Sequence, residues 1–428
     1  MTSGASGQAE RSELVATERG GRATLGKSAL LLHGLTVDAA TNDWLQSNGH
    51  CVPYAPNRYR VELQLGTAKV LVPLVSEQNV HGEGIRLHCT AERQAVLCWG
   101  DVRLPVTLPP APRFYAVRTS SGRSVGEFGH MYGSVLVLGA PQACGYGISE
   151  GACRFCRVGS RGENERTFGI TPHEAAEAVR AAAVERPLRY VFLPAASFDA
   201  EDGGVREIEP LVKAVRRHSS AFVLAALHPP RHLRWIDHAY AIGVDGVSFN
   251  LEVHDVALLE RFLPGRARYL GRSRYLQALR HAGRIFPRGA VWSEVIVGIG
   301  AASEEAQLLR ELVAWNVVPF LVPFRGDHVG RPLPVPYGTS LEHVELLLGE
   351  LGTALVQASL RLCWLPEWPH LLGATDGARH AHMDALLGAA GNGWWHARLR
   401  ELALRNVARL RRSLRVRDLG EHDTESSV

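Results

Sequence analysis

From residue 133 onward, short apolar runs alternate with longer segments in which apolar residues recur every three or four positions. The short runs are typical of buried strands, and the longer segments are typical of amphipathic helices. We expect strands at 133–140, 189–196, 222–228, 246–252, 291–300 and 317–325, and helices at 172–185, 206–217, 231–242, 255–263, 273–286, 303–315 and 340–361. Strands and helices in strict alternation build a parallel sheet. The pattern therefore predicts an α/β protein with a partial (β/α)6 TIM-type barrel.

The chain before residue 113 has a different pattern. The runs YRVELQL, AKVLVPLV, IRLHCT and AVLCWGDVRLPV are short, rich in β-formers and separated by turn residues. Such runs predict a small antiparallel unit. We therefore expect a disordered N-terminus (1–27), a β-rich accessory domain (28–112), the barrel (113–340), a helical C-terminal extension (341–418) and a loose tail (419–428).

Composition narrows the class of protein. The chain has 428 residues, of which 46% are hydrophobic and 21% charged, as in folded globular proteins. Its net charge of +4 is too small to indicate a dedicated partner among nucleic acids or membrane surfaces. Residues 1–27 lack the apolar stretch of an export signal, and no apolar run reaches the roughly 18 residues that span a bilayer. We expect a cytoplasmic protein that binds no membrane.

Three of the seven cysteines lie in one loop after the first barrel strand. They are Cys144, Cys153 and Cys156, with eight and then two residues between them. The two-residue gap lets both sulfurs face one metal, in zinc sites and in iron–sulfur sites alike. A structural zinc needs a fourth ligand, whereas three thiolates on a four-iron cluster leave one iron open for a cofactor or substrate. The loop favours the cluster, with zinc and plain burial of the thiols as alternatives.

At this loop the sequence resembles the radical S-adenosylmethionine (SAM) superfamily, on the three cysteines and on Phe155, the aromatic residue before the last of them. The family's usual spacing is three and then two residues, so CX8CX2C is a variant. VDGVSFNLEVHD and VWSEVIVGIG are most similar to the biotin synthase-like branch. The stretch RTSSGRSVGEFGHMYGSVLVLGAPQACGYGISEGACRFC is loosely similar to radical SAM proteins of bacterial nitrilase gene clusters. The resemblance covers roughly 115–340.

The resemblance implies an enzyme with a [4Fe-4S] cluster on Cys144, Cys153 and Cys156. One electron from a donor such as ferredoxin or flavodoxin would cleave bound SAM to a 5′-deoxyadenosyl radical. We expect that radical to abstract hydrogen from a small polar metabolite in a biosynthetic or rearrangement reaction. Two alternatives stay open. One is a radical SAM enzyme that modifies RNA, for which the basic helix near 398–413 is the support, although we do not expect a nucleic-acid partner. The other is a non-enzymatic zinc or iron–sulfur protein.

The resemblance also implies which side chains contact SAM. Where the family has a Gly-Gly-Glu segment, this chain has PAASFD, whose Ser197 and Asp199 are candidates for the amino group. Asn250 and Glu252 alternate on one face after the fourth strand, where a carboxylate accepts both ribose hydroxyls. The other cofactor candidates are Arg272 and Arg274 for the SAM carboxylate, and Ser293, Gly298 and Ile299 beside the adenine. Each of these assignments has a structural alternative. Glu252 would be a carboxylate at a helix start, Arg272 and Arg274 would be solvated arginines, and the residues beside the adenine would belong to a glycine-rich strand exit.

Further candidates face the predicted substrate cavity: Tyr146, His228, Arg325, Asp327 and His328. Each of these types also occurs in purely structural roles. The cysteines of the accessory domain, Cys51, Cys89 and Cys98, match no compact ligand spacing, so we favour buried small residues over a second metal site.

Overall fold

The computed structural model describes residues 23–55, 58–65, 68–75, 84–89, 95–139, 151–154, 169–195, 201–325, 339–360, 364–373, 376, 406 and 410. None of the helices in these ranges is both long and apolar enough to cross a membrane.

The N-terminal region is rich in strands, as the sequence predicts. Its elements are α1 (Ala23–His33), β1 (Leu35–Thr36), α2 (Ala39–Ser47), β2 (Cys51–Ala55), β3 (Arg58–Leu65), β4 (Ala68–Pro73), β5 (Ile85–Cys89), β6 (Ala95–Trp99) and β7 (Val102–Val106). They form two sheets, one antiparallel in the order β2-β3-β4 and one in the order β1-β5-β6-β7, where only β1 pairs in parallel. Helix α1 begins at Ala23, four residues before the boundary predicted at 27.

The barrel region follows. Its elements are β8 (Gly129–Tyr132), β9 (Val135–Leu138), α3 (Pro172–Glu185), β10 (Tyr190–Pro194), α4 (Val205–His218), β11 (Phe222–Ala226), α5 (Arg234–Ala241), β12 (Gly246–Ser248), α6 (Val256–Phe262), α7 (Pro264–Tyr269), α8 (Gly271–Ile285), β13 (Val291–Val297), α9 (Ala302–Ala314), β14 (Val317–Pro323) and α10 (Leu341–Gln357). Each of the six predicted strands is present, and the predicted helices lie within a few residues of their expected bounds.

Strand order identifies the architecture. The seven-stranded sheet runs β14-β13-β12-β11-β10-β9-β8, so the six parallel strands pair in the order in which the chain makes them. A doubly wound sheet reverses its strand order at a switch point, and this sheet does not. Right-handed crossovers that advance in one direction place all helices on one face and curl the sheet toward a barrel. The predicted partial β/α barrel is confirmed, with β8 added antiparallel to β9 at one edge.

Two element boundaries show how closely the sequence predicts where helices and strands begin and end. Helix α3 begins where predicted because Thr171 and Glu174 form a capping box, with hydrogen bonds of 3.1 and 2.9 Å between each side chain and the other's backbone N–H. Strand β12 ends at Ser248, earlier than the predicted 252. Pairing with β13 is interrupted after Ser248 and resumes at Glu252, which bridges Val295 with a φ of 67°. Within the interruption, the carbonyl of Asn250 accepts from Arg266 at 3.1 Å.

The two faces of the barrel sheet differ in exposure. In the six parallel strands, the residues of one face are buried, whereas the other face includes some partly accessible residues. These are Val137, Phe192, Pro194, Ala226, Glu294 and Val322. Cross-strand register places them together, since Phe192 lies opposite Val137 and Pro194 lies opposite Ala226. The partly accessible residues of the six parallel strands thus share one face of the sheet, which is its concave face.

Residues 364–373, which we call the plug segment, cover part of this concave face. The Trp364 ring lies 5.8 Å from Phe222 near the amino end of β11, and the Trp368 ring lies 5.2 Å from Phe192. Leu372 then exchanges two backbone hydrogen bonds with Leu321 on the free edge of β14. Within the described residues, the plug segment thus contacts the sheet at the amino end of β11, at the middle of β10 and along the edge of β14.

The N-terminal region holds the plug segment in place. The Nζ of Lys27 on α1 donates to the carbonyl of Trp368 at 3.1 Å and pairs with Asp376 at 2.8 Å, and both charged side chains are 7% exposed. The N–H of Leu71 on β4 donates to the carbonyl of Pro369 at 2.8 Å. The closure of the barrel therefore depends on residues more than 300 positions apart in the chain.

Because the Lys27–Asp376 pair is buried, Lys27→Met leaves an unpaired carboxylate in the interior. We expect this to lower the free energy of unfolding by about 3–5 kcal/mol, whereas a matched Lys69→Met loses a half-exposed pair with Glu62 worth below about 1 kcal/mol. Urea denaturation of both variants measures the difference, and equal effects would contradict the role given to Lys27.

Candidate functional site

Cys153 lies at the carboxyl edge of the barrel sheet. It is 8% exposed and packs in one apolar cluster with residues that follow three different strands: Val253 after β12, Ile299 after β13 and Phe324 after β14. The loop is held there by two backbone hydrogen bonds, Arg154 N–H to the carbonyl of Phe262 at 2.7 Å and Gly265 N–H to the carbonyl of Gly151 at 3.0 Å. The edge where enzymes of this architecture place their chemistry thus carries one of the three predicted metal ligands.

The other members of the predicted metal loop, Cys144, Phe155 and Cys156, lie outside the described residues. Within the described residues, no group of three His, Cys, Asp or Glu side chains is arranged to hold a metal. The three-cysteine site therefore stays a prediction.

A polar cluster lies beside Cys153, built from the ends of β12 and β13. The Glu252 carboxylate pairs with Arg266 of α7 at 2.7 Å, and the same guanidinium donates to the Asn250 carbonyl. The backbone N–H of Glu294 donates to the Asn250 side-chain oxygen at 3.3 Å. The structure thus brings the two predicted ribose contacts, Asn250 and Glu252, together with Arg266 and Glu294.

Glu294 is the most perturbed carboxyl group of this cluster. Burial and then the nearby Glu252 carboxylate raise its pKa to about 7, although the Asn250 amide and the charges of Arg60 and Arg266 oppose the rise. Its side chain is enclosed by protein yet keeps accessible surface on the concave face. Glu294 is therefore a carboxyl group that exchanges its proton near neutral pH inside the barrel.

Two histidines at the same cavity are held neutral. Burial and the charge of Arg266 lower the pKa of His228, which follows β11, to about 3. Burial and the charges of Arg60 and Lys27 lower the pKa of His370 in the plug segment well below its ordinary value. Both imidazoles can therefore accept a hydrogen bond but carry no charge at neutral pH. His228 was a predicted cavity residue.

The other predicted arginines lie elsewhere. The Arg272 side chain donates to the backbone carbonyl of His254 at 2.6 Å, and Arg274 is half-buried on α8. Arg325 donates to the carbonyl of Leu31 on α1 at 3.2 Å. In this structure, Arg266 is the arginine that reaches the Asn250–Glu252 pair.

Ser293 and the glycines after β13 serve packing that is visible in the structure. Ser293 is fully buried and accepts from the N–H of Leu251 at 3.0 Å. Gly298 has a φ of 91°, and a Cβ there would approach Thr339 within 2.4 Å. Ile299 is buried in the Cys153 cluster. These contacts explain the residue types without an adenine, so the proposed adenine contact remains untested.

Glu305 holds the turn after β13. Its buried carboxylate accepts from the N–H groups of Gly298 at 3.1 Å and Gly300 at 2.9 Å, and it pairs with His343 at 2.8 Å. This arrangement fixes the loop that contains Ile299, and through it one wall of the Cys153 cluster.

The remaining predicted site residues, Tyr146, Ser197, Asp199, Asp327 and His328, lie outside the described residues. Among the accessory cysteines, burial raises the pKa of Cys51 and of Cys89 to about 11, with a smaller contribution from Asp38 at Cys89. Such thiols stay protonated at neutral pH when no metal is bound. All three accessory cysteines are half-buried, so they are less buried than the sequence predicts.

Sequence reasoning missed three residues of the polar cluster: Glu294, Arg266 and Arg60. A signal for Glu294 was present, since one acidic residue interrupts the apolar run VWSEVIV. Arg60 belongs to a distant strand, and only the packing of that strand brings its charge near the barrel.

No protein-family model and no curated protein matches the chain. Among solved structures it is similar to methylornithine synthase (PylB), with 14% identity over 53% of this chain and 63% of that one, at a TM-score of 0.38. HydG, a maturase of the [FeFe]-hydrogenase, has 15% identity over 53% of this chain and 51% of that one, at a TM-score of 0.37. OxsB, a cobalamin-dependent S-adenosylmethionine radical enzyme, has 12% identity over 64% of this chain and 36% of that one, at a TM-score of 0.30.

The chain thus spans less than two thirds of each of these structures. At such TM-scores the likenesses carry no conclusion about function. The strand order and the contacts described above define the class by themselves: a partial β/α barrel with a cysteine-bearing loop and a polar cluster at the carboxyl ends of its strands.

The raised pKa of Glu294 makes stability depend on pH. Between its unfolded value near 4.5 and its folded value near 7, the folded state keeps a proton that the unfolded state releases. The contribution of Glu294 to stability therefore falls as pH rises through this window and is constant above it, whereas the neutral His228 and His370 contribute in the opposite direction below pH 6.5. Glu294→Gln removes the Glu294 contribution alone, which is the difference between variant and wild type, and is more stable than the wild type above pH 7 by at most about 3 kcal/mol.

Urea denaturation at several pH values from 4 to 9 measures this dependence. The exposed Glu260 on α6 provides the matched control, because Glu260→Gln leaves the wild-type slope unchanged. A Glu294→Gln variant with the same pH slope as the wild type would show that the group titrates as an ordinary glutamate.

Proposed function

We propose that the chain is a radical SAM enzyme that holds a [4Fe-4S] cluster on Cys144, Cys153 and Cys156. It cleaves SAM reductively and abstracts hydrogen from a small polar metabolite in a biosynthetic or rearrangement reaction. The observation that carries the proposal is the docking of Cys153 against residues that follow β12, β13 and β14. This contact supports the proposal because it puts one of the three proposed ligands at the carboxyl ends of the barrel strands.

The residues around Cys153 fit an oxygen-sensitive cluster. Its thiol is enclosed by Val253, Phe262, Ile299 and Phe324, which form a dry apolar wall. When bound, the cluster supplies the electron that cleaves SAM. The wall keeps water and oxygen away from the reactive species, which would otherwise be quenched before reaching the substrate.

The polar cluster fits the remaining requirements of SAM. Glu252 directly precedes Val253, which belongs to the same apolar cluster as Cys153. Arg266 fixes the Glu252 carboxylate, so that it is oriented before a ribose binds. The proposed cofactor site is completed by residues for the other parts of SAM. We propose Ser197 and Asp199 for the amino group and Arg272 and Arg274 for the carboxylate. For the adenine we propose Ser293, Gly298 and Ile299.

The proposed reaction also requires a partner. A one-electron donor such as ferredoxin or flavodoxin would reduce the cluster, and we place the enzyme in the cytoplasm, where thiolates stay reduced. The substrate would enter at the carboxyl ends of the strands. Tyr146, His228, Arg325, Asp327 and His328 are the proposed contacts.

The proposal is tested by purifying the protein without oxygen, reconstituting it with iron and sulfide, reducing it and adding SAM. Formation of 5′-deoxyadenosine supports it. A colourless protein that binds zinc and no iron under these conditions would end it.

Cys153→Ser removes one of the three proposed ligands, and we expect the iron content after reconstitution to fall to background. The matched control is Cys98→Ser in β6, which should keep the wild-type iron content because that cysteine lies in the accessory region. Iron and acid-labile sulfide are quantified for both. Full cluster assembly in Cys153→Ser would contradict the ligand assignment.

Glu252→Gln removes the charge that we propose for the ribose hydroxyls. Because charge-assisted hydrogen bonds are worth about 1.5–3 kcal/mol, we expect the dissociation constant of SAM to rise about tenfold or more. Equilibrium dialysis with labelled SAM measures it, with Glu260→Gln as the control. Unchanged affinity in Glu252→Gln, with the protein still folded, would remove Glu252 from the cofactor site.

A further inference from the structure

Most of the chain's net charge lies in one stretch beside the Cys153 cluster. Residues 255–274, which span α6, α7 and the first turn of α8, contain five arginines and two acidic residues. One of the two acids, Asp255, caps α6 by accepting from the N–H of Leu258 at 2.8 Å. The rest of the chain has 42 basic and 41 acidic residues. Three of the four net positive charges therefore belong to this stretch.

Two arginines carry positive charge to the surface next to Cys153. Arg154 directly follows Cys153 in the predicted metal loop, and its side chain is exposed. Its backbone N–H donates to the carbonyl of Phe262, at the end of α6, at 2.7 Å. Arg268 is also exposed, on the helix α7 that holds the same loop by a further backbone hydrogen bond. Both arginines thus belong to the short segments that position Cys153.

A cleft of about 510 Å³ lies between α6, α7 and the metal loop. Gly151 of the loop, Glu260 of α6 and Arg268 of α7 are among the residues that line it. Ala267 lines the cleft as well, and it also packs against the apolar cluster that encloses Cys153. Ala267 therefore links a cleft whose charged lining residues are exposed with the surroundings of a proposed cluster ligand.

The lining of this cleft fits the surface of another protein better than it fits a small ligand. Small-molecule sites bury most of the ligand among predominantly apolar side chains. In this cleft Glu260 and Arg268 are charged and exposed, and Tyr269 keeps 49% of its surface accessible. Arginine and tyrosine are enriched at protein interfaces and among the residues that dominate binding there. The cleft therefore indicates an interaction surface.

The position of this surface indicates the kind of partner. A cluster on Cys144, Cys153 and Cys156 would receive its electron from outside the chain, so a donor has to approach one of these residues closely. Electron-transfer partners meet through small, weak interfaces, and complementary charge speeds their encounter. Arg154 and Arg268 complement a donor that carries acidic side chains around its redox group. The surface therefore fits a small acidic carrier of single electrons.

A nucleic acid is the other anionic partner that exposed arginines attract. Proteins that bind nucleic acids tightly neutralise about six to ten phosphates, and three net charges are few for that purpose. Glu260 lines the same cleft and repels a backbone that is charged at every nucleotide. A folded carrier instead can place an uncharged or basic group opposite Glu260. These two observations favour the carrier.

We propose that Arg154, Arg268 and the cleft beside them form the docking surface for a small acidic one-electron carrier protein. In the transfer, the carrier is oxidised by one electron and the cluster is reduced from [4Fe-4S]²⁺ to [4Fe-4S]⁺, and no covalent bond forms or breaks. The proposal rests on the proposed function, because only a chain that holds the cluster has a use for this electron. Docking is a separate event from the transfer, so affinity and rate are measured independently.

Calorimetry and stopped-flow mixing of the reconstituted full chain test the proposal, with an acidic flavodoxin and an acidic plant-type ferredoxin as probes. Titration with the oxidised carrier gives the dissociation constant, and mixing with the reduced carrier gives the second-order rate constant of reduction. We expect this rate constant to fall about tenfold or more between about 0.01 M and about 1 M salt, because the Debye length falls from about 30 Å to about 3 Å. Dithionite, a small reductant, measures how much of the cluster is reducible.

The double variant Arg154→Glu/Arg268→Glu reverses the charge of the proposed surface. We expect it to raise the dissociation constant of the carrier, and to lower the rate constant of reduction, by about tenfold or more. Its iron content and its reduction by dithionite should equal those of the wild type, since neither side chain is a proposed ligand. The matched control is Arg103→Glu/Arg180→Glu, which makes the same change in net charge at exposed arginines of β7 and α3. Its affinity and rate constant should equal those of the wild type at physiological ionic strength, where distant charges are screened.

The outcomes separate this inference from the proposed function. A protein that forms 5′-deoxyadenosine with dithionite, but binds both carriers equally well with and without the charge reversal, overturns the docking surface alone. An equal loss in the matched control also overturns it, because the effect would then follow net charge rather than position. Salt-dependent binding of bulk tRNA that the charge reversal abolishes, with no binding of either carrier, would assign the surface to RNA and overturn the inference. A protein that assembles no cluster would overturn the proposed function and the docking surface together.

Discussion

A sheet of six parallel strands in sequential order has two faces that must both be covered, and its helices cover only one. Among the described residues, the plug segment covers part of the other face, and the N-terminal region holds the plug segment there. Trp368 packs on Phe192 there, and Leu372 pairs with the free edge of β14. Cys153 and the polar cluster lie at the carboxyl ends of the strands. The site that we propose there therefore lies at the opposite end of β11 from the contact of Trp364 with Phe222.

Charged side chains lie inside the barrel because the structure lowers the cost of burying them. A carboxyl group among apolar residues is costly in its charged form, and the structure responds by raising the pKa of Glu294 to about 7 and by pairing Glu252 with Arg266. The histidines beside these groups lose their charge instead. Such arrangements cost stability, and they are retained most often where a ligand uses them.

Much of the fold could be predicted because the signals are local. The six strands are short apolar runs, and helix α3 has a capping box at one end and a clean periodicity throughout. The accessory strands follow from the alternation in runs such as YRVELQL. Strand β12 is interrupted after Ser248, where the Asn250 carbonyl accepts from Arg266, although Glu252 pairs with β13 again. Local patterns do not contain that contact.

The candidate site was also predictable in part, where its residues are recognised from local sequence. Asn250 and Glu252 follow from their spacing and from the resemblance, and the structure places them together with Arg266. Arg60 and the plug segment could not be predicted, because they reach the cavity only through packing between parts of the chain far apart in sequence. The Lys27–Asp376 pair, which anchors that packing, joins residues 349 positions apart.

The measurement that tests the central claim most directly is electron paramagnetic resonance of the reconstituted, reduced protein before and after addition of SAM. If three cysteines hold a four-iron cluster with one open iron, the reduced protein gives the signal of a single [4Fe-4S]⁺ cluster, and SAM shifts that signal by binding the open iron. A four-iron signal that SAM leaves unchanged, or the absence of any cluster signal in protein that has taken up zinc, would contradict the account.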